Sequence, residues 1–315
     1  MRSFGAKQRT ALDLAAARRP REIEAPTNLY IVHPASAAMV PALYRLGISP
    51  NAVSVLGAVF AALGAGCFVV APWPWSAALG FVCLVVRHIF DGADGLLARA
   101  SGRESMMGDM VDGVCDAVSL VVVYAALGWI LYEIIGPPAV VLALLAFASY
   151  VAQVNVYEGQ RRFYVKYLHG REITTERFDR GRAAEPAETS RNRLVWILKY
   201  VYSFYHSLIS HDHLTVRRIM KDSMAAGGLR RDRARDIYKT FKKPVVSGFG
   251  WLGENNKTIA TGISMAFGSP LYLFIYLIVV GNAYLLILFI WQRKVGDRLC
   301  RALEEAQDGW DAGKP

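Results

Sequence analysis

The chain has 315 residues, 54% hydrophobic and 20% charged, with 36 Lys or Arg against 26 Asp or Glu and a formal net charge of +10. A long, basic, apolar-rich chain of this kind is an integral membrane protein before it is a nucleic-acid binder, and no interleaved aromatic and basic recognition motif argues otherwise. The four cysteines, Cys67, Cys83, Cys115 and Cys300, lie scattered in or beside apolar segments and define neither a disulfide framework nor a zinc site.

Residues 1–27 form a basic, Ala-rich arm carrying Arg2, Lys7, Arg9, Arg18, Arg19 and Arg21. Without an apolar core or a cleavage site it does not read as a secretory signal, so insertion is expected from internal spans. Residues 28–47 mix aromatic, small and apolar residues, which predicts a helix lying along the membrane interface. Its lone His33 reads as a structural hydrogen-bonder rather than a metal ligand. Ser49 and Pro50 make a helix start. The first span runs from about residue 51 to 71, with Gly57, Ala61 and Ala65 at a spacing of four as a face for close packing. The uncharged PWPW at 72–75 is an outer turn. The second span, about 76–99, returns with Arg87, His88, Asp91 and Asp94 near its end. Arg87 and His88 stand four and three residues before Asp91, placed to support a metal ligand or to meet a headgroup.

A third helix starts near Met107, carries Asp112 and Asp116 in its first turns and crosses by about Ile135, where Gly136, Pro137 and Pro138 turn the chain outside again. The fourth span ends at about Tyr157. Residues 158–243 then carry twenty Lys or Arg against ten Asp or Glu. Within them 194–209 reads as an interfacial or short packed helix, and His211 and His213 as a solvated loop pair without a third ligand. Residues 247–269 predict a fifth helix whose polar end, Glu254, Asn255, Asn256 and Lys257, faces the catalytic cavity; a cytoplasmic loop with a snorkelling Lys257 is the alternative. Residues 271–291 are the final span, followed by Arg293, Lys294, Arg298 and Arg301.

Both clear outer turns lack basic residues, so the positive-inside rule gives six spans with both termini cytoplasmic. The expected architecture is all-α: a cytoplasmic arm and interfacial helix at 1–50, spans one to four at 51–157, a basic insert at 158–245, and spans five and six with a tail at 246–315. The cytoplasmic membrane of a bacterium is the expected location.

The chemistry concentrates at residues 91–116, DGADGLLARASGRESMMGDMVDGVCD. Asp91 and Asp94 are three apart and Asp112 and Asp116 four apart, so two helical flanks would each present a carboxylate pair from one face. Four carboxylates beside apolar spans repel unless neutralised, and oxygen-only ligands favour Mg, Mn or Ca over zinc. Gly95 and Ala98 leave a face bare for a bulky ligand, which suits a metal-bound diphosphate. One aspartate pair at a helix end is ordinarily a solvated cap. Two pairs in register with Gly95, Ala98 and Arg99 are harder to read that way. Carboxylates on adjoining spans would also suit a cation transporter, but that needs polar residues continuing outward, and the outer halves of these spans are almost wholly apolar.

The pattern Asp91, Asp94, Gly95, Ala98, Arg99, Gly108, Asp112, Asp116 resembles the signature of the CDP-alcohol phosphotransferase family. The resemblance implies a transferase that moves a substituted phosphate from a CDP-linked alcohol to a second alcohol with release of CMP, in phospholipid or related lipid synthesis. Carried over by position, Asp91, Asp94, Asp112 and Asp116 would hold two Mg or Mn ions. Asp116 would also deprotonate the acceptor. Gly95, Ala98, Arg99 and Gly108 would shape the nucleotide site, with Asn51 and Ser54 near the cytidine. The implied partners are the CDP-alcohol donor, a lipid or polar alcohol acceptor, membrane lipids and a second copy of the chain, and not nucleic acid. Asn51, Ser54 and Gly57 lean towards a soluble CDP-headgroup donor and a lipid alcohol acceptor, because family members using CDP-diacylglycerol often have Arg at the last of these positions. The basic insert equally suits a phosphorylated polar acceptor, which fits a CDP-diacylglycerol donor.

Overall fold

The computed structural model describes residues 21–169 and 214–311, and among these every regular element is a helix. The segment at 194–209 and the His211 and His213 pair lie outside the described residues, as does most of the N-terminal arm. The helices are α1 (His33–Arg45), α2 (Pro50–Val70), α3 (Trp75–Ala100), α4 (Met106–Ile135), α5 (Pro138–His169), α6 (Leu214–Ala226), α7 (Gly228–Phe249), α8 (Glu254–Ala266), α9 (Leu271–Ile275) and α10 (Asn282–Asp311). The chain is an all-α polytopic membrane protein. Five described helical segments are long and apolar enough to cross a membrane: Pro50–Val70, Trp75–Ala100, Met107–Ile135, Pro138–Leu168 and Leu271–Trp310. At 1.5 Å per residue the thirteen residues of α8 span about 20 Å, short of a hydrocarbon core of about 30 Å.

The described residues fall into two compact units. The first comprises Pro26–Ala143 and Thr258–Tyr272; the second comprises Glu22–Ala25 with the described parts of Leu144–Lys257 and Leu273–Pro315. In the first unit, local chemistry sets the helix ends. Ser49 caps α2 by accepting from the Ala52 amide at 3.2 Å, with Pro50 at the first helical position. Ser105 caps α4 by accepting from the Gly108 amide at 3.0 Å. Helices α2 and α3 pack through small residues. A Cβ on Gly64 would lie 3.1 Å from Cys83 Cβ, and one on Gly57 would lie 3.4 Å from Phe90 Cβ. Ala61 and Ala65 are buried there too, so the small-residue face read from the sequence is covered within the unit. On α1, Ser36 donates to the Ile89 carbonyl at 2.8 Å, and a Cβ on Gly92 would come 2.6 Å from Ser36 Oγ. Close approach therefore fixes α1 against the segment that carries Asp91.

In the second unit α5 continues as one helix well past the expected end near Tyr157. Helices α6 and α7 pack with α10 around Tyr164, Tyr167, Met220, Tyr238, Leu299 and Leu303, so the second half of the basic insert is a folded helical pair. Gln153 is fully buried and donates to Leu277 O at 2.9 Å and Asn282 Oδ1 at 2.8 Å, bracing a π-helical turn at Tyr276–Gly281. Lys257 does not snorkel. It is 2% exposed, donates to the Leu252 carbonyl and lies 5.5 Å from the Tyr150 ring centroid.

Candidate active site

The aspartates come from the C-terminal end of α3 and the first turns of α4, on either side of a short loop at 101–105. Ala98 marks the end of α3, where its carbonyl accepts from the Arg103 amide at 2.9 Å. Asp91, Asp112 and Asp116 converge: each offers a carboxylate oxygen, and these oxygens lie within 4.8 Å of one another. All three are half-buried.

Asp94 is placed differently. Three residues on a helix advance the side chain by about 300°, so Asp94 is offset by about 60° from Asp91 and faces deeper into the packing. It is 5% exposed and accepts from Ser54 Oγ at 2.5 Å. The hydroxyl also lies 3.3 Å from the Pro50 carbonyl, which leaves it anchored in the first turn of α2. Ser54, placed near the cytidine by family position, is thus directly bound to the second aspartate of the motif.

Asn51, one turn before Ser54, meets the start of α4: a Cβ on Gly108 would lie 3.4 Å from Asn51 Oδ1 and 3.1 Å from Ser105 Oγ. Gly108 therefore admits the amide. On α3, the Arg99 guanidinium folds back along the helix over Gly95, with Nη1 3.1 Å from where a Cβ would stand. Asp91, Gly95 and Arg99 follow at intervals of four, so the cation sits on the helix face that begins with Asp91.

The two residues that stand four and three positions before Asp91 make contacts with other helices. Arg87 Nη2 donates to Asp116 Oδ1 at 2.7 Å, across 29 residues and onto α4. His88 Nε2 lies 2.6 Å from Thr258 Oγ1 on α8. Thr258 directly follows the polar run at 254–257 expected to face the cavity, but nothing in the sequence singles it out from that run.

The donor set is oxygen only. Three carboxylates so placed fit a hard divalent cation such as Mg or Mn, and no described histidine or cysteine joins them. Residues 48–201 match the family model described as CDP-alcohol phosphatidyltransferase. That stretch, just under half of the chain, carries a domain of that family.

Similar proteins include the phosphatidylinositol phosphate synthases of Mycobacterium tuberculosis (strain ATCC 25618 / H37Rv) and Mycobacterium bovis (strain BCG / Pasteur 1173P2). Each is 28% identical over 109 residues, 34% of this chain and 48% of the relative. The Mycobacterium marinum synthase is 32% identical over 88 residues, 28% of this chain and 36% of its own length. The matched regions span less than half of these relatives. No solved structure matches the chain.

Proposed function

We propose that the chain transfers a substituted phosphate from a CDP-linked alcohol to a second alcohol, releasing CMP at the cytoplasmic face of a membrane. The observation that carries this reading is the convergence of Asp91, Asp112 and Asp116 within 4.8 Å at the ends of two apolar helices. Two divalent ions held by these carboxylates, with Asp94 behind them, would neutralise the diphosphate and the charge that moves onto CMP. Asp116 takes the proton of the acceptor hydroxyl; its side chain is 43% accessible while Arg87 fixes Oδ1. The acceptor oxygen then forms its bond to the outer phosphorus, and the bond from that phosphorus to the bridging oxygen breaks, leaving its electron pair on CMP. Arg99, laid over Gly95, suits a donor phosphate. Gly95, Ala98 and Gly108 keep the helix faces low for the nucleotide, with Asn51 and Ser54 at the α2 side.

For direction, the lean towards a CDP-headgroup rested on Gly57. That glycine is accounted for by packing, since a Cβ there would meet Phe90 Cβ at 3.4 Å and the Arg87 carbonyl at 3.6 Å. Relatives named phosphatidylinositol phosphate synthase instead support a lipid-activated donor and a phosphorylated polar acceptor. The cytoplasmic site follows from the basic residues, which border both helix ends and leave the outer turns uncharged.

The test supplies purified protein in lipid micelles with Mg and CDP-diacylglycerol, CDP-choline, CDP-ethanolamine or CDP-inositol, each with and without acceptors. CMP released from CDP-diacylglycerol when an inositol phosphate is added supports the favoured direction. CMP released only from a CDP-headgroup with a lipid alcohol reverses it.

A further inference from the structure

Arg87 and His88 stand just ahead of the aspartate motif and occupy none of its positions. Both are buried, at 6% and 5% exposure, inside a helix long and apolar enough to cross a membrane. A guanidinium there is costly unless paired. Its Nη2 donates to Asp116 Oδ1 at 2.7 Å and its Nη1 lies 3.2 Å from His88 Nδ1. A guanidinium nitrogen has only hydrogens to offer, so His88 Nδ1 is the acceptor. The ring proton then sits on Nε2, which donates to Thr258 Oγ1 at 2.6 Å. One tautomer of a neutral imidazole thus links three residues from α3 and α8 to an aspartate on α4.

We propose that Thr258, His88 and Arg87 form a positioning relay that sets the rotation of Asp116 and places one fixed positive charge among the clustered carboxylates. The proposal rests on the reading of Asp116 as the proton acceptor and metal-holding group. Holding Oδ1 restricts the carboxylate to an orientation in which it joins Asp91 and Asp112. The same cation offsets part of their charge. These two roles separate in experiment. Loss of Arg87 disorders Asp116 and slows the reaction, yet leaves the cluster more negative and so strengthens its hold on a divalent ion. A guanidinium that only filled space would lower activity and melting temperature without tightening metal binding.

The experiment measures direct Mn2+ binding by the paramagnetic resonance signal of the free ion, together with kcat and KM for CMP release, on full-length protein. Arg87→Gln is expected to lower kcat about a hundredfold with KM little changed and to bind Mn2+ about tenfold more tightly. Arg87→Lys keeps the charge without the two-armed donor, so Mn2+ affinity stays near that of the unaltered protein while kcat still falls. His88→Leu is expected to lower kcat, and His88→Gln to restore most of it, because a primary amide can accept from Arg87 and donate to Thr258. Arg87→Gln with unchanged kcat, or with Mn2+ binding unchanged or weaker, overturns the relay. Should Arg87→Gln fail to fold, as judged by elution profile, the two His88 variants decide: equal loss in both overturns it. Absence of CMP release by the unaltered protein would count against the proposed reaction alone, since the Mn2+ series still tests the fixed charge.

Discussion

Ser54 donates to Asp94 at 2.5 Å, which holds the second aspartate of the motif buried in the contact between α2 and α3, beside the more open group formed by Asp91, Asp112 and Asp116. A buried carboxylate deprived of its donor carries the full cost of an unmet acceptor, about 1–3 kcal/mol. Ser54→Ala should therefore lower the melting temperature and reduce CMP release, whereas Asp112→Asn should abolish release with a smaller effect on melting. Thermal unfolding in micelles, read beside the activity, checks the contrast. Equal melting losses in both variants would contradict the division.

Gly95 and Gly92 are separated by less than one turn and should respond differently. A methyl at 92 would come 2.6 Å from Ser36 Oγ, which is committed to the Ile89 carbonyl, so Gly92→Ala should destabilise by about 1–3 kcal/mol. A methyl at 95 meets only the far end of Arg99, at 3.1 Å from Nη1. Gly95→Ala should leave melting unchanged and raise KM for the donor several-fold by turning the guanidinium aside. Parallel melting and kinetic measurements distinguish the two.

Gln153 bridges Leu277 O and Asn282 Oδ1, and Asn282 in turn donates to Ser149 Oγ at 2.9 Å. A Cβ on Gly281 would lie 2.5 Å from Gln153 Nε2, so the amide and the glycine occupy each other's space. Gly281→Ala should cost about 1–3 kcal/mol by forcing the amide out of that position. Unaltered stability in a chemical unfolding series would remove the role assigned to this brace.

Outside the spans, Glu22 and Lys239 form an ion pair at 2.8 Å next to Ile23, which is buried with Tyr164 and Tyr238. Burial pushes the Glu22 carboxyl up, but the hydrogen bond and charge of Lys239, with smaller contributions from Tyr164 and Lys243, together hold the carboxyl below its usual value. The same hydrogen bond and charge push Lys239 up. A depressed acid contributes stability above its unfolded pKa and loses it as pH falls through the folded one; a raised base contributes below its unfolded pKa and loses it as pH rises through the folded one. The pair should therefore hold residues 22–25 across the neutral range and release them towards pH 4. Amide exchange of this segment should rise on acidification, and in Glu22→Gln it should be high throughout and flat over that range.

The motif was legible because its chemistry is local. Spacings of three and four along two helices state which aspartates share a face, and the apolar runs on either side state what those helices cross. What could not be read is rotation between helices. The 60° offset that buries Asp94 while Asp91 joins the cluster depends on where α2 lies. The position of Arg87 in the sequence suits support of a metal ligand or contact with a headgroup, and only the packing of α3 on α4 brings it to Asp116. Thr258 is 170 residues from His88, and the polar run at 254–257 beside it points to the cavity without naming its partner. Apolar content at 247–269 marks a helix but not its start, which a separate turn at Gly250–Leu252 sets at Glu254.

Metal-dependent CMP release is the most direct measure of the central claim. Purified protein with CDP-diacylglycerol and a phosphorylated polyol should release CMP in Mg2+, stop on chelation, resume with Mg2+ or Mn2+, and fall to background in Asp91→Asn, Asp112→Asn and Asp116→Asn. CMP release that persists in all three variants, or that survives chelation, would contradict the assignment of the chemistry to this cluster.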